Sequence, residues 1–299
     1  MSDHLGGWVD DQEKVEEVMQ SLPHPVFQDI WTPIKGSGKG KCILLYELMR
    51  KASNGKYPKR KQTIGDCVSH GAAYAVDAVK AVDILLNKDF EEWVAETATE
   101  DIYAGSRVQI GGGRLRGDGS IGAWAARYVN EYGALARGKY GNVDLTTYSG
   151  SKARSWGRGG AGVPKTLIPF AKEHPIQTVS KVTTYEEVRD LIANGYAVTI
   201  ASGQGFSSKR DSEGFARPQG SWAHQMSILA VDDEYKRPGV LVQNSWGTWN
   251  SGPKRHDQPN GSFWVDAEEI ERRILKKGDS WAFSGYEGFK PRELNTRII

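Results

Sequence analysis

The sequence predicts an α+β fold with a helical first lobe and a second lobe rich in antiparallel β-strands. Two observations support this prediction. Apolar residues recur at steps of three and four in the first half of the chain, whereas short apolar runs separated by turn residues fill the second half. A chain of 299 residues can bury a substantial core, and helices followed by strands are typical of α+β proteins.

The helices are predicted from periodicity and from their end signals. The first is acidic and ends before Pro23 and Pro25. The fourth begins with Thr184 and Glu187, the signature of a capping box, and ends before Gly195. The predicted segments are residues 11–22, 67–85, 120–132 and 184–194.

The strands are predicted from short apolar runs bounded by turn-forming residues. After the last of them, Asp266 and Glu269 are expected to cap a short helix that reaches Ile274. The predicted strands are residues 198–202, 224–231, 239–244 and 261–265.

The domain prediction separates an N-terminal extension, residues 1–60, from a main domain, residues 61–299. The extension is interpreted as a pro-segment or a docking arm. The main domain divides into a helical lobe at about 61–150 and a β-rich lobe at about 151–290. Residues 36–41 read Gly-Ser-Gly-Lys-Gly-Lys, but they do not fit the phosphate-loop spacing or its final residue, so a flexible loop is expected.

Composition excludes several classes of function. A formal net charge of +2 favours neither nucleic acid nor a membrane surface as a partner. The sequence has no run of about 18 apolar residues and no basic-then-apolar leader, so neither a membrane span nor a signal peptide is expected. With only Cys42 and Cys67, it favours a reducing compartment, hence a cytoplasmic or virion-associated location. A Cys42–Cys67 disulfide stays an alternative.

Cys67 is the candidate nucleophile because it stands where a long helix is predicted to begin. The thiolate is the reactive form of cysteine, and the unpaired N–H groups and partial positive charge of a helix N-terminus favour an anion. Gly65 allows the chain to turn sharply into that helix. A lone cysteine is more often a small buried apolar residue, so the assignment needs partners.

Two neighbouring strands supply those partners. His224 begins one predicted core strand, and the next strand along the chain ends at Asn244. An amide beside the imidazole can bind one ring nitrogen and leave the other for the thiol, which is the nucleophile, base and orienting group of covalent catalysis. Trp246 is expected to shield that hydrogen bond from water.

The order of Cys67, His224 and the run Asn244-Ser245-Trp246-Gly247 resembles the papain-like family of cysteine peptidases. The Gly-Asp-Gly-Ser run at 117–120 is similar to the family's glycine-rich substrate wall, and residues 261–265 are similar to its following strand. The resemblance covers roughly residues 60–285. It implies a papain-like two-lobed fold and cleavage of peptide or protein substrates without metal or cofactor.

The resemblance also implies roles for further residues. Gln62 is the expected oxyanion donor, Gly119 and Ser120 the expected wall, and Trp222 and Trp246 the expected neighbours of the substrate. The sequence departs from the family pattern because Lys61 stands where glutamine is usual. The tryptophan that usually follows the nucleophile is replaced by Val68, and the secreted members' disulfide cysteines are missing. A bacterial or phage-like branch is therefore expected.

Alternatives stay open at this point. One is a catalytically inert papain-fold protein with a structural or binding role, a virion component included, and another is a cell-wall peptide hydrolase. His70 is a rival base without a visible orienting partner. The remaining histidines lack metal-ligand spacing and are expected at the surface, and no metal site is predicted; they are His4, His24, His174 and His256. The oligomeric state is not predicted.

Overall fold

The computed structural model describes residues 5–86, 93–174 and 176–294. His4 lies outside these ranges. The helices are α1 (Gln12–Ser21), α2 (Leu45–Ala52), α3 (Cys67–Leu86), α4 (Glu100–Gly105), α5 (Gly122–Tyr132), α6 (Gly150–Gly157), α7 (Ile168–Ala171), α8 (Tyr185–Ala193) and α9 (Ala267–Arg273). A π-helical turn, Ser106–Ile110, continues α4. Each predicted helix has a counterpart whose ends differ from the prediction by two residues or fewer.

The strands are β1 (Cys42–Leu44), β2 (Lys139–Tyr140), β3 (Val143–Asp144), β4 (Thr178–Lys181), β5 (Val198–Phe206), β6 (Pro218–Asp232), β7 (Gly239–Gln243), β8 (Ser262–Asp266) and β9 (Asp279–Ser284). Within the described residues, seven strands form one antiparallel sheet in the order β4-β9-β5-β6-β7-β8, and β1 also pairs with β6. The α+β prediction, with an antiparallel second lobe, is confirmed.

The helix that begins at Cys67 packs directly on the central strand. Helix α3 is buried along most of its length and carries many small side chains. A Cβ at Gly71 would lie 3.0 Å from the Gln225 side chain, and the Ser227 hydroxyl donates to the Gly71 carbonyl at 2.6 Å. Small residues therefore let α3 approach β6 closely, which brings the start of the helix beside residues 224 and 225.

The first 60 residues contribute to the main core. Apolar side chains of α1 and of the segment after it, among them Val15, Phe27 and Trp31, join the same buried cluster as α3 and the sheet. The glycine-lysine loop is held from inside the protein, because the Asp190 carboxylate accepts hydrogen bonds from the amides of Gly36 and Gly38 at 2.7 and 3.0 Å.

Two local sequence predictions have different outcomes. Thr184 and Glu187 form the predicted capping box at the start of α8. Asp266 stands at the N-cap position of α9 but makes no capping hydrogen bond there. Its carboxylate instead accepts from Arg237 Nε at 2.5 Å, because this ion pair with a full positive charge competes with the backbone amides.

Among the described helices, none combines the length and the apolar character that crossing a bilayer requires.

Candidate active site

Cys67 is the first residue of α3 and is fully buried. Its sulfur accepts a hydrogen bond from the Gln225 amide at 3.4 Å, so it lies directly beside the residue that follows His224. Burial raises the pKa of the Cys67 thiol to about 12, although the amides of Gln225, Val68 and Cys67 itself act in the opposite direction. The amides at the helix N-terminus favour the thiolate as expected, but the effect of burial on the pKa is larger.

His224 lies on β6, and Asn244, the residue directly after β7, lies beside it. The distance from His224 Nε2 to Asn244 Oδ1 is 2.8 Å, and the same oxygen accepts from the Ser245 amide at 2.6 Å. Because Oδ1 can only accept, Nε2 must carry the ring proton when the imidazole is neutral. The basic nitrogen of His224 is then Nδ1.

Aromatic rings surround the imidazole. The Trp246 ring lies 4.3 Å from the His224 ring at an angle of 34°, and the Trp222 ring meets His224 edge-on at 6.2 Å. Trp222 also contacts Trp246 and Trp249, with ring centroids 4.8 and 5.3 Å apart. These rings exclude water from the histidine–asparagine hydrogen bond and strengthen it.

Gln62 lies next to the asparagine motif. Its backbone amide donates to the Ser245 carbonyl at 2.9 Å, and its side-chain oxygen accepts from the Ser245 hydroxyl at 2.6 Å. These two bonds fix the side chain so that Nε2 donates to peptide carbonyls, at 2.9 Å for Ile64 and 3.1 Å for Leu5. The amide is therefore oriented as a donor to a carbonyl oxygen although it stands one residue closer to Cys67 than the family pattern has it.

A segment of the N-terminus runs between the two lobes at this site; we call residues 5–9 the cleft segment. On the β side, the amides of Gly7 and Trp8 both donate to the Ala223 carbonyl, at 2.8 and 3.1 Å. On the helical side, the Val9 amide donates to the Ser120 carbonyl at 2.9 Å, and the Ser120 amide donates to the Gly7 carbonyl at 2.8 Å. The cleft segment thus pairs with Ser120 as a short parallel bridge.

The fit of the cleft segment depends on two glycines and one tryptophan. A Cβ on Gly6 would lie 2.6 Å from the Ala223 carbonyl oxygen, and one on Gly7, at φ +150°, would overlap the backbone of Gly65. Trp8 is only 9% exposed, and its Nε1 donates to Asp279 Oδ2 at 2.6 Å. Side chains larger than hydrogen are therefore excluded at two adjacent positions.

The glycine-rich wall is held by charged side chains. The Arg107 guanidinium donates to the carbonyls of Leu115, Gly117 and Gly119. Hydrogen bonds from Arg154 lower the pKa of Asp118 to about 2. These contacts fix the wall at Gly119 and Ser120 beside the cleft segment.

The structure therefore brings Cys67, Gln62, His224 and Asn244 into one region between the lobes. It places Ser120 against the cleft segment, with Gly119 next to it, and it places Trp222 and Trp246 around the imidazole. The catalytic and substrate-binding roles of all these residues stay predictions.

Three findings in this region add to or correct the sequence predictions. A pro-segment or docking arm was predicted within residues 1–60, but not which of them reach the cleft, although Gly6-Gly7 followed by tryptophan is a signal for a close approach of two backbones. His70 does have a charged neighbour, since its Nε2 lies 3.4 Å from Asp66 Oδ2. Both cysteines are free thiols, so the alternative Cys42–Cys67 disulfide is not formed.

Comparison with solved structures identifies the fold. Xylellain, a cysteine protease from Xylella fastidiosa, superposes with a TM-score of 0.54 at 14% identity, covering 95% of this chain and 97% of that one. Digestive procathepsin L 3 of Tenebrio molitor superposes with a TM-score of 0.52 at 13% identity over 90% and 79% of the two chains. Procathepsin B S9 of Trypanosoma congolense superposes with a TM-score of 0.51 at 14% identity, covering 94% of this chain and 86% of that one.

No protein-family model and no curated protein matches this chain by sequence. At such low identity the structural likeness establishes the fold alone. The chain has the fold of papain-like cysteine proteases.

Proposed function

We propose that the protein is a cysteine peptidase in which Cys67 is the nucleophile, His224 the base and Asn244 the group that orients the base. The observation that supports this most is the hydrogen bond of 2.8 Å between His224 Nε2 and Asn244 Oδ1, which joins β6 to the residue after β7 next to the helix that begins at Cys67. That bond leaves Nδ1 as the nitrogen able to accept a proton.

The proposed reaction is acyl transfer through a thioester. His224 Nδ1 takes the thiol proton of Cys67, and the sulfur attacks the carbonyl carbon of the scissile peptide. The carbonyl oxygen becomes an oxyanion, for which Gln62 Nε2 and the Cys67 amide are the proposed donors. The carbon–nitrogen bond breaks as His224 returns its proton to the leaving amine. Water, deprotonated by His224, then attacks the thioester and releases the acid and the thiol.

The cleft segment keeps this site closed in the proposed account. It places its own peptide groups between Ser120 and Ala223, where an extended substrate would bind, and the Leu5 carbonyl accepts from Gln62. Cys67 has no exposed surface in this closed state, and burial holds its thiol in the protonated form. We therefore interpret the N-terminus as a pro-segment, and catalysis requires that residues 5–9 leave the cleft.

The test uses the full chain with the cleft segment loosened by Gly6→Ala, whose added methyl group would approach the Ala223 carbonyl. Gly138→Ala is the matched control, because a Cβ there meets no atom closer than 3.8 Å. Alkylation of Cys67 by iodoacetamide, followed by peptide mapping, reports whether the cleft is open. Casein hydrolysis reports activity, and Gly6→Ala/Cys67→Ser shows whether the activity needs the sulfur.

We expect Gly6→Ala to hydrolyse casein faster than wild type and Gly138→Ala to match wild type. The double variant should be inactive. If Cys67 in Gly6→Ala is alkylated rapidly but casein stays intact, the peptidase proposal is wrong and an inert binding protein is favoured. Release of peptides from purified peptidoglycan under the same conditions, with casein intact, would instead favour a cell-wall peptide hydrolase.

A further inference from the structure

A second group of reactive side chains lies where β1 begins and β6 ends. Cys42 and Asp232 are directly opposite each other in the antiparallel pairing of these strands, and His256 reaches them from the loop after β7. Among the described residues, the sulfur, one carboxylate oxygen and one imidazole nitrogen of this group all lie within 4.8 Å of one another. The role proposed for Cys67 and His224 does not involve any of these residues.

The distances in this group match those of a metal-binding site. Cys42 Sγ lies 3.8 Å from His256 Nε2, and His256 Nε2 lies 2.9 Å from Asp232 Oδ2. Tetrahedral zinc, with bonds of roughly 2.0–2.3 Å to nitrogen, oxygen and sulfur, separates sulfur from nitrogen by about 3.6 Å and nitrogen from oxygen by about 3.3 Å. Shifts of a few tenths of an ångström would bring these two distances to those separations.

We propose that Cys42, Asp232 and His256 bind a thiophilic divalent cation of the zinc type, with the fourth position open to water. One thiolate, one imidazole and one carboxylate are all ligands that zinc accepts. A site of three protein ligands with one open position differs from closed structural sites, which supply four protein ligands.

The backbone around His256 supports the assignment because it is held in an uncommon conformation. His256 and Asp257 have φ values of +52° and +46°, in the left-handed region that non-glycine residues seldom adopt. Two contacts hold the turn: the Tyr46 hydroxyl donates to the His256 carbonyl at 2.5 Å, and Arg50 donates to the Asp257 carbonyl at 2.9 Å. The turn directs the imidazole toward the strand ends.

Charged side chains around Cys42, Asp232 and His256 are consistent with a divalent cation and suggest a variant that tests for it. The Arg255 guanidinium contacts Asp232 Oδ2, and its carbon lies 4.0 Å from the centre of the Tyr235 ring. Glu234 adds a negative charge near Cys42. With a divalent cation and the Arg255 charge on one side, and Asp232, Glu234 and the Cys42 thiolate on the other, the formal charges sum to zero. Arg255 nevertheless repels a cation at Asp232.

The experiment is titration of the full chain carrying Cys67→Ala with Co²⁺, a spectroscopic substitute for zinc. Cys67→Ala removes the other thiol, so a sulfur-to-cobalt charge-transfer band reports Cys42 alone. Competition with Zn²⁺ then gives the zinc affinity. The added changes are Cys42→Ala, His256→Asn and Arg255→Gln; asparagine is chosen because it tolerates a positive φ.

We expect the band in Cys67→Ala and its loss when Cys42→Ala is added. His256→Asn should weaken binding at least tenfold, and Arg255→Gln should tighten it because a like charge is removed. Circular dichroism of each variant checks that the fold is kept. Absence of the band in folded Cys67→Ala, or unchanged affinity in folded His256→Asn, would overturn the proposal, as would weaker binding in folded Arg255→Gln.

Discussion

The hydrogen bond between Trp8 and Asp279 offers a direct measure of how firmly the cleft segment is held. Trp8→Phe keeps most of the buried apolar surface but removes the donor that lies 2.6 Å from Asp279 Oδ2. Asp279 keeps two other donors, the Gly122 amide and Trp281 Nε1, both at 2.8 Å. The substitution therefore removes one hydrogen bond of the closed state and leaves the rest of the cluster in place.

The size of the effect follows from that single bond. A hydrogen bond to a charged group contributes about 1.5–3 kcal/mol, and every 1.4 kcal/mol changes an equilibrium about tenfold. The population with an open cleft should therefore rise by about 10- to 100-fold in Trp8→Phe. Trp8→Ala should open it further, because it also removes the ring, which is only 9% exposed.

The assay is alkylation of Cys67 by iodoacetamide at a concentration low enough that the cleft recloses faster than the sulfur reacts. The rate then reports the open population. Peptide mapping separates Cys67 from Cys42. Trp93→Phe is the control, since this half-buried ring contacts Lys80 near the opposite end of α3. Wild-type rates in Trp8→Phe would refute the reasoning that this contact closes the cleft.

Three further predictions follow from other groups. Gln62→Ala should lower kcat/KM in a cleft-opened variant by about 10²- to 10³-fold, which steady-state kinetics would reveal, whereas an unchanged value would exclude Gln62 as the oxyanion donor. Burial raises the pKa of Asp101 to about 7, so the folded protein holds this proton more tightly than the unfolded chain does. The free energy of unfolding should fall as pH rises from about 4 to about 7, and Asp101→Asn should flatten that slope in urea titrations. Hydrogen bonds from Arg154 lower the pKa of Asp118 to about 2, so the ionised Asp118 adds to the free energy of unfolding above about pH 4, and this stabilisation is lost toward pH 2. Arg154→Gln should remove that stabilisation, and an acid unfolding transition unchanged from wild type would contradict this.

Local rules in the sequence predicted much of the fold. The capping box of Thr184 and Glu187 and the apolar periodicity of residues 67–85 need only neighbours along the chain, and helices α8 and α3 form where these patterns predict them. Asp266 departs from its predicted capping role because Arg237, distant in sequence, binds its carboxylate. Strand β6 begins at Pro218, six residues before the prediction, since its first residues pair with β5 without an apolar run.

The sequence was less informative about the state of the site. A cysteine at a helix start predicts a thiol whose anion is favoured, yet burial in the folded protein raises the pKa of Cys67. The Gly6-Gly7 pair signals a close backbone approach, but its partner Ala223 is distant in sequence, so the sequence did not show where the cleft segment binds. His256 was expected at the surface without metal-ligand spacing, because Cys42 and Asp232 lie far from it in the sequence.

The central claim is that His224 activates Cys67 once the cleft is open. The most direct measurement is the pH dependence of Cys67 alkylation in Gly6→Ala, compared with Gly6→Ala/His224→Ala. We predict fast alkylation near pH 6–7 that depends on the histidine, and in the double variant a single rise near the ordinary thiol pKa of about 8.5. Identical pH profiles in the two proteins would contradict the account.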